Sequence, residues 1–525
     1  MSLTTRLPKI PEEEITPLVS TLLEIIQLQM EEIQLLRDEI ARLKNQKPKP
    51  KIKPSNLEKN TRKKKKAIKK KSRPRKRSKT KYLEIHEEVA IKPDNLPQGS
   101  TFKDYQDYVV QDLVLFNWNI RYRRERWQTP SGDYIIGKMP TETGGHFGSC
   151  LISFILYQYY GCHVTQPLIA EQLQELGVDI STGQINNIII ENKDRFHREK
   201  DQILETGIKM SKHINVDDTG ARHNGKNGYC THIGNEYFAW FKSSKSKTRI
   251  NFLKILRGEH QDYILNGDAI EHMATHKLPD YQLSKLTELK NITFKDDNQW
   301  AACLNSLGIV TARHVRIATE GALVGSIISH GFNKDLAIIS DDAGQFNVFL
   351  HGLCWVHAER AIHKLIGFTD KQLKILEATR SDIWQLYRDL KDYRLRPSKN
   401  QKIELEKRFD ELFTRKTDFA TLNQALKRIY QNKSELLLVL ERPDIPLHNN
   451  LSESDIREYV KKRKISGSTR SDTGKRCRDT FTSLKKTCRK LGISFWEYLY
   501  DRIAKINEIP LLADVMMSKF KEARA

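Results

Sequence analysis

Apolar residues recur every seven positions from residue 15 to residue 43: Val19, Ile26, Ile33 and Ile40 in one row, with Ile15, Leu22, Leu36 and Leu43 in the next. Gln29 interrupts the second row. β-Branched side chains at the first position and leucine at the second favour a parallel two-stranded coiled coil, and one polar residue in the seam can fix its register. The competing reading is an amphipathic helix packed on its own domain. The pattern stops at a Lys/Arg/Pro/Ser-rich stretch, about 46 to 82, that has almost nothing to bury. The sequence therefore predicts a leucine-zipper coiled coil over 1–45 and an extended basic linker over 46–82.

From about 83 to 205 the pattern reads as helical. Within it, 165–191 has the layout of a helix-turn-helix. Thr165 is placed to cap a first helix, with Pro167 in the opening turn where proline is tolerated. The helix ends at Leu176-Gly177. Ser181-Thr182-Gly183-Gln184 then forms a capping box that opens a second helix. Early on that helix, Thr182, Gln184, Asn186 and Asn187 are short and polar, as contacts to base edges require. A plain pair of packed helices has the same layout.

At His213 the period changes to that of strands. Ile214–Val216, Tyr229–Ile233 and Tyr237–Phe241 are short apolar runs separated by Asn-Gly and Gly-Asn turns, which predicts an antiparallel meander. A helix is expected near Thr248–Leu256, and then a poorly periodic stretch to about 330. Leu336–Ile339 makes a fourth strand, with a connection long enough for a crossover. Residues 355–441 read as helices, and the chain from Asn450 onward as basic helix.

The chain has 525 residues and a formal charge of +23. Nineteen Lys/Arg against one acid between Lys47 and Lys81 supply +18 of that, leaving +5 for the rest. An anionic polymer is the expected partner of so basic a chain. Seven cysteines are scattered and never spaced C-x-x-C, which argues against a disulfide framework and a zinc ribbon. Without a long apolar run or a signal-peptide core, the expected location is the cytoplasm, in association with the nucleoid.

Chemistry enters with three acids. Asp217-Asp218 ends the first apolar run, Asp341-Asp342 ends the fourth, and Glu453 sits early in a helix that turns basic. Cleaving a phosphodiester needs an activated hydroxyl and charge stabilisation on two oxygens, which two Mg²⁺ (or Mn²⁺) ions about 3.5–4 Å apart provide. Two or three carboxylates suffice to hold them when phosphate completes the shell. Arg457, Lys461 and Lys464 follow Glu453 near one helical face, with Arg470 in a small-residue loop beyond. Any one such acid is more often a turn former or a cap. Asp296-Asp297, with no strand before it, is read as surface.

These residues resemble the DDE transposases of bacterial insertion sequences, in the ribonuclease-H-like integrase superfamily, and especially the group with a leucine zipper and a helix-turn-helix. The resemblance spans about 145–500. It is carried by Val216-Asp217-Asp218-Thr219, by Ser340-Asp341-Asp342-Ala343-Gly344-Gln345-Phe346, by Cys354-Trp355-Val356-His357-Ala358-Glu359-Arg360, and by Asn449-Asn450-Leu451-Ser452-Glu453 with Arg457. It implies that Asp217, Asp341 and Glu453 hold the metal, with Asp218 and Asp342 as alternates to their neighbours. The Cys354/His357 pair is half a zinc site at most and is read as helix packing or DNA positioning. The implied fold is α/β: a ribonuclease-H-like mixed sheet over 206–465, with insertions at about 258–330 and 361–445. A helical DNA-binding region, 83–205, precedes it and a basic helical region, 466–525, follows. The implied partners are double-stranded DNA (transposon ends and target) and further copies of the chain, as a homodimer or larger. Related proteins often carry a cysteine-rich zinc segment before the catalytic domain; Tyr105 to Met139 here contains no cysteine. A nuclease of the same fold and a transposase-derived DNA-binding regulator are the rival readings.

Overall fold

The computed structural model describes residues 84–94, 97–98, 100–139 and 145–523, with Val19, Ile26 and Gln29 as single helical positions. The rest of the expected zipper, and the basic linker over 46–82, lie outside the described residues. Residues 100–125 carry neither helix nor strand. They are followed by a hairpin of β1 (Arg126–Gln128) and β2 (Tyr134–Ile136). The helical reading from 83 is thus corrected: helix begins at Ser149. An apolar–polar alternation is clear only at the end of the 100–125 stretch, where Phe116, Trp118, Ile120 and Tyr122 are separated by Asn117, Asn119 and Arg121, a spacing that does not form one helix face.

α1 (Ser149–Leu156) runs on into a π-helical turn, Tyr157–Gly161, and α2 (Gln166–Glu175), α3 (Thr182–Ile190) and α4 (Asp194–Met210) follow. Two helices, α2 and α3, lie over the stretch read as a helix-turn-helix or a plain helix pair. Gly177 adopts φ +74° in the turn, and Ser181 accepts the Gln184 N–H as its box predicts. Thr165 occupies the cap position of α2 without a side-chain bond.

The central sheet is built from β3 (His213–Gly220), β4 (Tyr229–Gly234), β5 (Ala239–Ser244), β8 (Ala337–Ser340) and β9 (Leu350–Leu353), in the order β5-β4-β3-β8-β9. β3, β4 and β5 are the antiparallel meander; β3, β8 and β9 run parallel. β3 extends to Gly220, so Asp217 and Asp218 lie inside the central strand rather than at its end. β9 has no counterpart in the sequence reading. Its four residues, with a glycine at Gly352, carry too little pattern to be seen.

Between β5 and β8 lie α5 (Arg249–Leu256), β6 (Tyr263–Ile264), α6 (Gly267–Thr275), α7 (Asp280–Glu288), β7 (Thr293–Phe294), α8 (Asp297–Ser306) and α9 (Ala312–Ser329). The stretch read as poorly periodic is therefore mostly short helices. After β9 come α10 (Trp355–His363), α11 (Asp370–Leu395), α12 (Lys399–Thr414), α13 (Ala420–Gln431) and α14 (Lys433–Leu436), then α15 (Asn450–Ser466), α16 (Asp472–Leu491), α17 (Phe495–Ile503) and α18 (Leu512–Glu522).

Helices cover both faces of the sheet. Ile214, Val216, Ile233 and Ile338 face one apolar core with α4, α5, α9 and α16, while Ala337 and Ile339 face a second core built with α10 to α13. The open edge of β5 is closed by side chains of α16. Thr487, Ser483 and Asp479 recur every four residues and accept the N–H groups of Ala239, Phe241 and Ser243 at 3.2, 2.9 and 2.6 Å. A helical stripe thereby satisfies a row of strand donors that would otherwise invite another chain. Among the described residues no helix is long and apolar enough to cross a membrane.

Candidate active site

Alternation along β3 puts Asn215 and Asp217 on one face and Ile214, Val216 and Asp218 on the other. On β8, Ala337 and Ile339 share the face of Asn215, because His213 pairs with Ala337 and Asn215 with Ile339. The paired register ends at Asn215 and Ile339, and Asp341 follows directly on the last residue of β8, Ser340, so Asp217 and Asp341 lie just beyond the paired ends of two neighbouring parallel strands. There β3 has β4 on one side and β8 on the other. In open α/β sheets, such a reversal at the carboxyl ends of parallel strands is where ligands bind.

Electrostatics agree with this placement. The Asp217 carboxyl is pushed up to about 7, first by burial and then by the negative field of Asp341, with smaller pushes from Asp218 and Glu453. Asp217 Oδ1 accepts the Asp218 N–H at 2.7 Å, and Asp341 Oδ1 accepts the Ala343 N–H at 3.2 Å. The second members of both pairs point elsewhere. Asp218 Oδ2 accepts from Gln345 Nε2 at 3.1 Å, and Asp342 Oδ1 from Asn432 Nδ2 at 3.3 Å.

Glu453 lies in the first turn of α15. The start of that helix is fixed by Asn449, which is fully buried. Its side-chain amide does not cap α15. Instead its Nδ2 donates to Val216 O at 2.8 Å and its Oδ1 accepts from Asn215 Nδ2 at 2.9 Å, while its N–H donates to Cys354 Sγ at 3.2 Å. One buried amide with both a donor and an acceptor end can tie a helix to a strand in this way, where a hydrophobic residue cannot. One turn on, Ser452 Oγ sits 2.9 Å from Nδ1 of His232, the register partner of Asp217.

Cys354 occupies the cap position at the start of α10, His357 lies in its first turn and Arg360 one turn further on, and they do different things. Cys354 is buried, and burial pushes its thiol up to about 11, so it packs as a neutral acceptor. His357 Nε2 and Arg360 Nη1 lie 3.5 and 3.2 Å from the same Glu453 oxygen. Sequence reasoning missed Arg360 as a partner of Glu453; its place three residues after His357, on the same helical face, was the available signal. Among the described residues, no group of three His, Cys, Asp or Glu side chains is set to hold a metal ion. Asp217 lies within the electrostatic field of Asp341, while Glu453 is turned to Arg360 and His357.

The expected DNA-contacting residues divide by exposure. Arg457, Lys461, Lys464 and Arg470 are all exposed, and so are Thr182 and Gln184 at the start of α3. Asn186 and Asn187 are half-buried, with Asn186 accepting from Gln166 Nε2 at 3.2 Å. The loop after α15 is joined to the β3–β4 turn: Asn224 N donates to Thr469 O at 2.8 Å, and His223 Nδ1 lies 2.9 Å from Thr469 Oγ1. Gly467, at φ +66° and ψ −146°, turns the chain out of α15 in a conformation open only to glycine.

A transposase catalytic region is the class of protein that this sheet and acid arrangement fit. Residues 338–477 match the family described as Transposase IS66 family. The "Uncharacterized protein y4jO" of Sinorhizobium fredii is 43% identical over 303 residues, covering 57% of this chain and 94% of that protein. The match at 338–477 identifies the chain as related to the transposases of bacterial insertion sequences. The matched region contains Asp341, Cys354, His357 and Glu453 and leaves Asp217 outside it.

Proposed function

We propose that the chain is an active DDE transposase, which cuts the ends of its element and joins them to target DNA. The observation that carries this is the position of Asp217: half-buried inside the central strand, just past its parallel pairing with β8, and within the fields of Asp341 and Glu453. A carboxyl pushed upward first by burial and then by its acidic neighbours has no structural use for its charge, and a divalent cation would relieve the repulsion and stabilise the charged form. The all-oxygen set of Asp217, Asp341 and Glu453 suits Mg²⁺ or Mn²⁺ better than zinc. Two such ions would activate water and then a 3′-hydroxyl, and stabilise the leaving oxygen. Glu453 joins the set by leaving Arg360 and His357, whose cationic and donor groups then face the DNA phosphate.

The mixed sheet, an antiparallel meander continued by parallel strands, supports the ribonuclease-H-like reading of 206–465. Exposed Arg457, Lys461, Lys464 and Arg470 supply phosphate contacts beside the acids. Thr182 and Gln184 are the base-reading positions of α3, and Asn186 and Asn187 support them from the half-buried side. The N-terminal heptads make the working unit a dimer or larger, and the basic linker adds sequence-independent binding. The test is cleavage and strand transfer on end-bearing DNA with Mg²⁺. Wild type should nick and join, while Asp217→Asn, Asp341→Asn and Glu453→Gln should bind ends but do neither. Full cleavage by any of the three would remove that residue from the proposed set.

A further inference from the structure

The inserted helices between α5 and β8 end in α9, and α9 carries a glutamate in an unusual place. Glu320 is 1% exposed. A carboxylate this deep is costly unless it is paired. Burial would push it up, but His272, Arg249 and Arg316 outweigh burial and hold it below the usual carboxylate range. Its direct partner is Arg249, the first residue of α5, with Nη1 at 3.3 Å; His272 Nε2 stands 4.0 Å away. Close packing fixes Glu320 in position. A Cβ at Gly321 would come 2.8 Å from Ala269 O, and one at Gly325 would come 2.1 Å from Ile264 O, so α9 lies directly on α6 and β6.

The other end of the Arg249 guanidinium reaches the proposed catalytic turn. Its Nη2 donates to Gly344 O at 2.8 Å. Gly344 belongs to the turn in which Ala343 N–H holds Asp341 and the Gln345 amide holds Asp218. One turn along α5 from Arg249, Phe252 meets buried Phe346 edge to face, with centroids 5.0 Å apart. α5 thus grips the turn after Asp341 at a polar and an apolar point, and the polar grip is oriented by a buried carboxylate from the insertion.

We propose that the inserted helices brace the second acid: Glu320 fixes Arg249, and Arg249 fixes the turn that aims Asp341. Arg249 and Glu320 are positioning residues. The proposal rests on the reading of Asp217, Asp341 and Glu453 as metal ligands. Groups behind metal ligands set ligand geometry, and their loss typically weakens metal binding or activity by about 10–100-fold.

The test is Mn²⁺ binding to the full chain, read by electron paramagnetic resonance, with thermal melting and metal-free binding of end DNA measured alongside. Arg249→Ala leaves the buried Glu320 carboxylate without its direct partner and lowers the melting temperature, but in the folded fraction it should still weaken Mn²⁺ binding by at least about tenfold, with metal-free DNA binding retained. Arg249→Lys should restore part of the loss, because an ammonium reaches one acceptor where the guanidinium fork reaches two. Glu320→Gln, which keeps the shape and removes the charge, should fall between them. Wild-type Mn²⁺ binding by both Arg249→Ala and Glu320→Gln overturns the brace, as does a loss no larger than the unfolded fraction that melting reports. Asp217→Asn separates the two levels. If it loses Mn²⁺ while Arg249→Ala does not, only the brace fails; if it binds Mn²⁺ like wild type, the ligand reading fails with it.

Discussion

Helix α15 carries two kinds of carboxylate within six residues. Glu453 is turned to Arg360 and His357, and its negative field also reaches the half-buried Asp217, whose other charged neighbours are the acids Asp341 and Asp218. Asp455 and Glu458 face α16 instead. Asp455 stands 2.8 Å from Lys486 and 2.7 Å from Lys490, and Glu458 pairs with Lys485 and, at 2.8 Å, with His163. Burial pushes Asp455 up, yet His232, Lys490 and Lys486 hold it well below the usual range; His163 and Lys485 do the same for Glu458. Asp217 moves the opposite way. Buried acids matched by cations tie this fold together, whereas an acid held among other acids gains nothing structural from its charge, and the proposed metal site rests on that difference.

The largest effect that can break this contrast is on activity. Asp217→Asn should lower DNA cleavage on the order of a thousandfold, with end binding retained in a gel shift. Next in size is stability on the α16 side. Asp455→Ala leaves two buried lysines without their acid and should cost about 3–5 kcal/mol in denaturant unfolding. A cost as small as that of a surface substitution would show that the pairs with Lys486 and Lys490 do not hold α15 to α16.

The pH dependence sharpens the same contrast, because the two acids have opposite signs. The folded pKa of Asp217 is above its unfolded value of 3.8, so its contribution is fully present at low pH and is lost as pH rises through about 7. Asp217→Asn should therefore be more stable than wild type at pH 8, by about 1–3 kcal/mol, with the difference closing as pH falls toward 4. Asp455 is depressed. Its contribution is present above its unfolded value near 3.8 and is lost as pH falls through its lower folded pKa. Melting curves of the two variants against pH should accordingly diverge from wild type at opposite ends of the scale. The smallest effect concerns the exposed stripe: Lys461→Ala or Lys464→Ala should each weaken DNA binding uniformly across sequences and reduce the salt slope by about one.

The sequence made the acids of the site legible, and also the strands that carry two of them, because strand periodicity and a strand-borne Asp-Asp pair are local signals. The register of β3 on β8 joins residues more than a hundred positions apart, and no local pattern encodes it. The roles of Asn449 and Arg360 were hidden for the same reason: an asparagine before a helix reads as a cap, and only the approach of β3 turns its amide into a tie. The stretch from about 258 to 330 looked featureless because its helices are short and pack on all sides around α9, which blurs the 3.6-residue period. The exposed segment at 116–122 was read as helix despite a period of two, a misreading that the residues themselves argued against.

The most direct test of the central claim is a structure of the chain with end DNA and Mn²⁺, with the metal located by its anomalous signal. The account predicts manganese between Asp217 and Asp341, with Glu453 swung off Arg360 to complete the site. Manganese bound elsewhere, or a Glu453 still paired with Arg360 and His357 on fully engaged DNA, would contradict it.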